Sequence, residues 1–201
     1  QSLQQLIDYH NLKSVNKLHK DTMRHYKTTQ RYLINFLKEE FNSPDMYLNN
    51  LNYSFIVNFE NFLRAYQPTD HHSKIGNNTI MKHIQRLRKM VTMAFHNEWI
   101  EKDPFVKFKS TFEKKSREFL SGEELQSIEN FTTKFDRLDI VKDLFVFSCY
   151  TGLAYIDIMQ LKNDNILKGI DGNDWVITKR QKTGTNVKVP ILERAQLVIN
   201  K

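Results

Sequence analysis

Apolar side chains recur at helical spacing through most of the first 108 residues. Three long stretches, 22–41, 54–66 and 78–98, carry them every three or four residues, and a less regular stretch spans 3–19. A helix with this spacing has one apolar face that must be buried against another element. No run before residue 108 alternates long enough to predict a strand. We therefore predict that residues 1–108 form an all-helical bundle of four helices.

A proline and a polar segment end this helical region. Pro104 cannot continue a helix, because proline lacks a backbone N–H and moves the preceding residue out of the helical conformation. Residues 109–117 are polar and basic without any period, which indicates a linker between two domains. A chain of 201 residues is long enough for two small domains.

Residues 118–201 mix helical and strand-like patterns, which predicts an α+β domain and a mainly α chain with a small β-sheet. Ser121 and Glu124 have the spacing of a capping box at the start of a helix. Pro190 lacks a donor for a neighbouring strand and therefore predicts an edge strand or a strand end. The predicted elements are helices at 122–131, 138–150 and 154–161, strands at 175–178 and 187–191 joined by 180–186, and a helix starting at Leu192.

The basic charge is concentrated in the first part of the chain. Residues 1–117 hold 19 Lys and Arg against 11 Asp and Glu, a net +8, whereas residues 118–201 hold 11 against 12. This asymmetry favours a polyanionic partner for the first part, although a generically basic helical domain would look the same. No apolar run is long enough for a membrane span. The single cysteine, Cys149, allows no disulfide within the chain, and its apolar surroundings predict a core position.

Two helices of the first part carry candidate DNA-binding side chains. The spacing of four and three residues places one group on a single face of the third long helix, and a second group lies near the start of the 22–41 helix. Polar residues at a helix N-terminus can bind phosphate through backbone N–H groups. The alternative is a solvated helix face without a ligand. The candidates are Arg24, His25, Lys27, Asn78, Thr79, Lys82, Arg86 and Lys89.

A helix break and a turn carry the candidate catalytic residues of the second part. An apolar helix stops at Thr151-Gly152, and a new helix begins at once with Asp157 in its first turn. Lys182 follows in Lys-Thr-Gly, between the two predicted strands, where its ammonium could reach a phosphate or protonate a leaving oxygen. Each residue also has an ordinary alternative, a helix-stabilising carboxylate for Asp157 and a surface turn for Lys182.

The order of these features resembles the tyrosine recombinases, or phage-type integrases. The resemblance rests on Ala94 to Phe105, on Phe119-Leu-Ser-Gly-Glu-Glu-Leu125, on Cys149-Tyr-Thr-Gly-Leu-Ala-Tyr-Ile-Asp157 and on Lys182-Thr-Gly184. It is greatest to the integrases of Bacteroidetes-type conjugative transposons and prophages. The resemblance implies a SAM-like core-binding domain at 1–108, a linker at 109–117 and the first part of the catalytic domain at 118–201.

The resemblance also implies the chemistry. In this family a tyrosine attacks a DNA phosphodiester to give a 3′-phosphotyrosyl link, cations stabilise the transition state, and a lysine protonates the leaving oxygen. No metal or other cofactor is implied. The implied partner is double-stranded DNA, on which the family assembles as a tetramer in the bacterial cytoplasm, at the nucleoid. A monomeric state is left open for this chain alone.

Residue by residue, the match has one departure. Lys182 matches the family's β-hairpin lysine, and Asp157 matches an acidic position three residues after the first catalytic arginine. That arginine position holds Ala154, which has no charge. Lys142 is our candidate for a substitute cation, with Arg137 second; an ordinary surface position is the alternative for Lys142.

None of the eight tyrosines lies beyond Tyr155, so no residue matches the family's nucleophile. The sequence begins with Gln1, and its last predicted helix has barely started at Lys201. We therefore predict a piece of a longer protein that binds DNA without cleaving it. Two rival hypotheses remain open: a catalytically degenerate DNA-binding regulator or architectural protein, and a helical protein-interaction domain without a nucleic-acid role.

Overall fold

The computed structural model describes residues 1–68 and 73–201. The chain forms two compact units, Gln1–Lys115 and Ser116–Lys201, which we call the N-terminal and C-terminal units. The division falls inside the segment predicted as a linker, 109–117, and residues 108–121 form neither helix nor strand. Within the described residues, no helix has both the length and the apolar character that a membrane crossing requires.

The N-terminal unit is helical, as the periodicity predicted. Among its described residues no strand forms, and Ser2 and Tyr47 make only an isolated β-bridge. Its helices are α1 (Leu3–Ser14), α2 (Lys20–Phe41), α3 (Tyr53–Ala65) and α4 (Asn77–His96), with a 3-10 turn at Leu48–Asn50.

Local capping sets where these helices begin and end. Ser2 and Gln5 form a capping box that starts α1. Asn52 caps α3 by accepting a hydrogen bond from the Phe55 N–H over 2.9 Å. The helix α2 ends where Asn42 takes a left-handed conformation with φ 48°. The first helix stops at Ser14, so the stretch predicted to continue to residue 19 is shorter than its spacing suggested.

Aromatic side chains fill the core of the N-terminal unit. Phe36 is fully buried, and its ring centroid lies 5.2 Å from Phe55, 5.4 Å from Phe59 and 5.4 Å from Phe62. These rings come from α2 and α3, and fully buried aliphatic residues of α1 and α4 complete the core. Each buried ring removes a large apolar area from water, so this cluster supplies much of the unit's hydrophobic stabilisation.

The C-terminal unit combines short helices with an antiparallel sheet. Its helices are α5 (Gly122–Asn130), α6 (Asp136–Thr151), α7 (Tyr155–Ile158) and α8 (Glu193–Ile199). Its strands are β1 (Ile166–Lys168), β2 (Asp174–Lys179) and β3 (Asn186–Pro190), in the order β1-β2-β3. Ser121 and Glu124 form the predicted capping box of α5, and β3 is an edge strand, as Pro190 indicated. The strand β1 was not predicted.

A small core holds this unit together. Val176 of β2 is fully buried and packs with Phe147, Leu153 and Ala195. The register pairs Val176 with Val189 of β3, so the central strand presents its apolar side to the helices. The sheet and the end of α6 are therefore held in one core, which fixes the hairpin relative to the helix break.

The prediction that Cys149 lies in a core is wrong. Cys149 is exposed, because α6 buries Val146, Phe147 and Thr151 on another face. Leu138, Val141 and Phe145 are also exposed and lead towards Cys149 at helical spacing. No described element of the C-terminal unit covers this face of α6. The apolar residues around Cys149 therefore predicted burial where the face is exposed.

Candidate functional site

The helix break in the C-terminal unit is a turn stabilised by side-chain hydrogen bonds. The helix α6 ends at Thr151, and Gly152 adopts φ +65°, a left-handed conformation that glycine takes without a steric penalty. Ser148 Oγ donates to the Leu153 carbonyl over 2.7 Å, and Thr151 Oγ1 donates to the Phe147 carbonyl over 2.7 Å. Ala154 is therefore held as the N-cap of α7, with its side chain exposed.

Asp157 connects this break to the strand hairpin. It is 4% exposed, and its Oδ1 accepts a hydrogen bond from the backbone N–H of Gln181 over 2.9 Å. A buried carboxylate needs such a partner, because an unpaired one would lose its hydration without compensation. The bond thus joins α7, which carries Asp157, to the hairpin and positions the backbone next to Lys182.

The connection between β2 and β3 presents Lys182. The Arg180 N–H donates to the Thr185 carbonyl over 2.9 Å, and the Gly184 N–H donates back to the Arg180 carbonyl over 2.8 Å. Gly184 has φ +67°, so the tight turn uses a conformation that favours glycine. Lys182 is exposed on this turn and forms no ion pair with the described residues. It is available to a phosphate.

Arg180 is a residue that sequence reasoning missed. Its Nη2 donates to the Gly152 carbonyl over 3.3 Å, and the residue is half-buried. The guanidinium therefore lies beside the helix break. Gly152, which it contacts, precedes Ala154 by two residues. A basic residue two positions before Lys182 was the available signal, but its contact joins segments 28 residues apart and has no local pattern.

The two predicted substitute cations lie elsewhere on α6. Lys142 Nζ donates to the Phe131 carbonyl over 2.7 Å and lies 3.4 Å from Asp139 Oδ1, so its charge is already paired. Lys142 precedes Gly152 by ten residues, which is ~15 Å along a helix axis. Arg137 is exposed and farther still, at ~22 Å. The structure brings neither side chain to the break that holds Ala154.

In the N-terminal unit, α4 carries a basic stripe formed by Lys82, Arg86 and Lys89. Lys82 and Lys89 are exposed, whereas Arg86 is half-buried and its Nη1 lies 3.5 Å from His83 Nδ1. Burial lowers the pKa of Arg86 from its ordinary value. Arginine nevertheless stays a cation at neutral pH, because its guanidinium is far more basic than the other side chains. Two exposed lysines thus flank a half-buried arginine on this face of α4.

His83 is the polar residue beneath this stripe. It is 5% exposed, and its Nδ1 lies 2.8 Å from Thr29 Oγ1 of α2. Tyr32 meets the imidazole edge-on at 5.0 Å between ring centroids. Burial, then the Arg86 and His25 charges, lower the pKa of His83 to about 4, so the ring is neutral at pH 7.

We expect acid to destabilise the N-terminal unit through His83. Its pKa falls from an ordinary 6.5 to about 4 on folding, so the unfolded chain binds the additional proton between these values. The contribution of His83 to the free energy of unfolding is therefore complete above pH 6.5. It falls as the pH decreases and is smaller by ~3 kcal/mol at pH 4. Urea unfolding of the parent and of His83→Gln at several pH values measures this. The contribution is disproved if both proteins lose stability in parallel between pH 6.5 and 4.

The α2 candidates lie on the surface of the same unit. Arg24, His25 and Lys27 are all exposed. Arg24 Nη2 lies 3.3 Å from Asp21 Oδ1, and both side chains are largely exposed. Such a surface pair contributes little, so a phosphate could replace the carboxylate at small cost.

The remaining candidates lie at the start of α4. Asn78 exchanges two hydrogen bonds with the backbone of Glu113, each 2.8 Å long, and Asn77 Nδ2 donates to the Thr111 carbonyl over 2.6 Å. The amide of Asn78 thus holds the segment that follows the bundle. Thr79 is exposed.

Comparisons with known proteins identify the family. A family model described as the phage integrase SAM-like domain matches residues 2–112. No curated protein matches the sequence.

Three solved structures are similar in fold. They are a lambda integrase dimer bound to a COC′ core site (14% identity, TM-score 0.73, 100% of this chain and 66% of that one), a lambda integrase tetramer bound to a Holliday junction (13%, 0.72, 100% and 56%), and the Tn1549 transposon integrase in complex with circular intermediate DNA (14%, 0.69, 98% and 62%). This chain therefore spans less than two thirds of the length of these relatives. The family model covers more than half of the sequence and confirms the resemblance: the chain belongs to the phage integrase family of tyrosine recombinases and carries its SAM-like domain.

Proposed function

We propose that the protein binds double-stranded DNA through the N-terminal unit and takes part in site-specific recombination. The observation that carries the proposal is the basic stripe Lys82, Arg86 and Lys89 on a SAM-like domain of the integrase family. The lambda and Tn1549 integrases of similar fold are described bound to DNA. Similarity to Bacteroidetes-type elements in particular stays a prediction.

The stripe suits a DNA backbone chemically. Lysines neutralise phosphates as point charges, and the planar guanidinium of an arginine can bind two phosphate oxygens at once. Arg24, His25 and Lys27 on α2 and the Asn78–Thr79 start of α4 are further proposed contacts. These contacts carry no sequence information by themselves, so they would set affinity and orientation on the duplex.

In the C-terminal unit we assign Lys182 the role of general acid. Its ammonium would protonate the 5′ oxygen as the phosphodiester breaks, while a tyrosine forms the 3′-phosphotyrosyl bond. Asp157 positions the Lys182 turn through Gln181. Cleavage needs that tyrosine, so by the whole protein we mean a chain that carries both these units and the nucleophile. The 201 residues shown should bind DNA without cleaving it.

Salt-dependent binding to duplex DNA tests the proposal. Each phosphate contact contributes about −0.9 to the slope of log affinity against log salt. We therefore expect Lys82→Gln/Lys89→Gln to make that slope shallower by about 2. Both side chains are exposed, so the double substitution should leave folding intact.

The matched control is Lys38→Gln/Lys107→Gln, which removes the same charge from exposed residues outside the stripe. We expect the salt slope of the control to change by less than half as much as the salt slope of the stripe variant. Equal slopes for the two variants would show that only net charge matters. Negligible binding of the parent at both low and moderate salt would favour a protein-interaction domain instead.

Ala154 favours a second candidate, a DNA-binding regulator or architectural protein that has lost catalysis. The family's arginine is absent there, and with it one stabilising cation. The two candidates differ in one product, because a recombinase forms a covalent complex between the whole protein and the 3′ end of a nicked DNA. We expect that complex, visible as a shifted band on a denaturing gel.

A further inference from the structure

The exposed Ala154 leaves the helix break without a cation of its own. A pentacoordinate phosphate carries more negative charge than the ground state, so a site that cleaves DNA needs donors aimed at its oxygens. If the proposed recombination is correct, another side chain must provide the missing donors. It must lie near the break and have N–H groups to spare.

Arg180 meets the condition of position. Its Nη2 lies 3.3 Å from the Gly152 carbonyl oxygen. Gly152 and Ala154 are two residues apart, which is at most ~7 Å of chain. The guanidinium therefore reaches the break from the hairpin and lies within a short stretch of chain of position 154.

Arg180 also has the required donors. A guanidinium carries five N–H groups, and the contact with Gly152 uses one of them. Among the described residues, no Asp or Glu forms an ion pair with it. The remaining N–H groups are fixed in a planar fork that suits a phosphate.

The backbone of Arg180 is held at three points. Its N–H donates to the Thr185 carbonyl over 2.9 Å, its carbonyl accepts from the Gly184 N–H over 2.8 Å, and the next residue, Gln181, is bound by Asp157 over 2.9 Å. Lys182 lies one residue beyond that anchor. The same carboxylate thus positions both basic residues of the turn, which is the preorganisation that transition-state stabilisation requires.

We propose that Arg180 is the cation that replaces the arginine missing at Ala154, and that it binds a non-bridging oxygen of the scissile phosphate. This inference rests on the proposed recombinase function. In the step it serves, the bond from phosphorus to the 5′ oxygen breaks and a bond to the tyrosine oxygen forms. The tyrosine gives its hydroxyl proton to water, the 5′ oxygen gains a proton from Lys182, and Lys182 then regains a proton from water. Arg180 exchanges no proton and acts through charge and hydrogen bonds.

The test uses the whole protein and a nicked suicide DNA that traps the covalent complex. We expect Arg180→Ala to form the complex 100- to 1,000-fold more slowly, a loss of about the size found for a missing transition-state donor. DNA affinity should stay within about threefold, since this phosphate is one contact among several. The control Lys179→Ala removes the neighbouring exposed charge and should change the rate less than about threefold.

A second variant removes the arginine at position 180 and places one at position 154. In Arg180→Ala/Ala154→Arg the family's arginine is restored, and we expect at least tenfold of the lost rate to return. Lys142→Ala should cleave DNA at a rate within about threefold of the parent rate. The Lys142 ammonium donates to the Phe131 carbonyl and pairs with Asp139, away from the break.

A neutral scissile phosphate separates charge stabilisation from a structural effect. With a methylphosphonate at that position the transition state carries one negative charge less, so the defect of Arg180→Ala should shrink at least tenfold. A variant that only disturbed the turn would show the same defect on both substrates, and that result would overturn the proposal. So would cleavage by Arg180→Ala within threefold of the parent. A parent that binds DNA but forms no covalent complex would instead refute the recombinase function on which the inference rests.

Discussion

Replacing Lys182 with alanine in the whole protein is expected to slow DNA cleavage 100- to 10,000-fold, the usual contribution of general acid catalysis. Lys182 is exposed on a turn whose backbone is held by Asp157 and by the Arg180–Thr185 pair, so its loss should not disturb the fold. Single-turnover cleavage of a suicide substrate gives the rate. Duplex affinity, measured in parallel, should change less than about threefold.

The leaving group provides the decisive control for this acid role. A substrate with sulfur in place of the 5′ bridging oxygen has a leaving group that needs no proton, because a thiolate is far more stable than an alkoxide. On that substrate the parent and Lys182→Ala should cleave at similar rates. Lys188→Ala removes an exposed lysine from β3 and should cleave normally on both substrates. An undiminished defect on the sulfur substrate would rule out proton donation by Lys182.

Phe36→Ala is expected to lower the free energy of unfolding of the N-terminal unit by about 3–5 kcal/mol. Phe36 is fully buried and lies within 5.4 Å of Phe59 and Phe62, measured between ring centroids. Its truncation removes a large apolar surface and leaves a cavity that the neighbouring rings can fill only partly. A loss of this size is a large part of the stability of a small domain. Urea unfolding followed by circular dichroism measures it.

Tyr47→Ala is the matched aromatic control, because Tyr47 is 71% exposed. We expect it to change the free energy of unfolding by less than about 1 kcal/mol. If Phe36→Ala and Tyr47→Ala cost the same, the aromatic cluster would not be the main source of stability. A changed dependence on urea for Phe36→Ala would point to an altered unfolded or folded state.

The helical half of the fold was predictable because its signal is local. The spacing of residues such as Phe55, Ile56 and Phe59 is itself the helix period, and the ends of α2, α3 and α4 lie within two residues of the prediction. The capping residue of α3 is harder to predict, because Asn52 and Ser54 are both common capping types and only the geometry shows that Asn52 accepts the bond.

The sheet was harder to predict. The strand β1 has only three residues, too few to show a period of two, and it exists because Leu167 pairs with Trp175 across the Gly169–Gly172 turn. Cys149 was misassigned for a related reason. Its apolar neighbours look like a core segment, and nothing in a sequence reveals which face of a helix a small domain covers.

The candidate site divides in the same way. Asp157 and Lys182 could be found because each follows a recognisable local signal, a helix break and a turn. That they are joined through the N–H of Gln181 could not be predicted, because the contact spans 24 residues. Arg180 escaped notice because its identity as a strand-end residue carries no functional pattern until the Gly152 carbonyl is placed beside it.

The hydrogen bond from Gln181 to Asp157 also bears on how this protein can evolve. The donor is a backbone N–H, which every amino acid except proline supplies. The side chain at 181 is exposed and plays no part in the bond, so it can drift freely without moving the hairpin. This bond therefore constrains the side chain only at position 157, and a proline at 181 would remove it as completely as the loss of the Asp157 carboxylate.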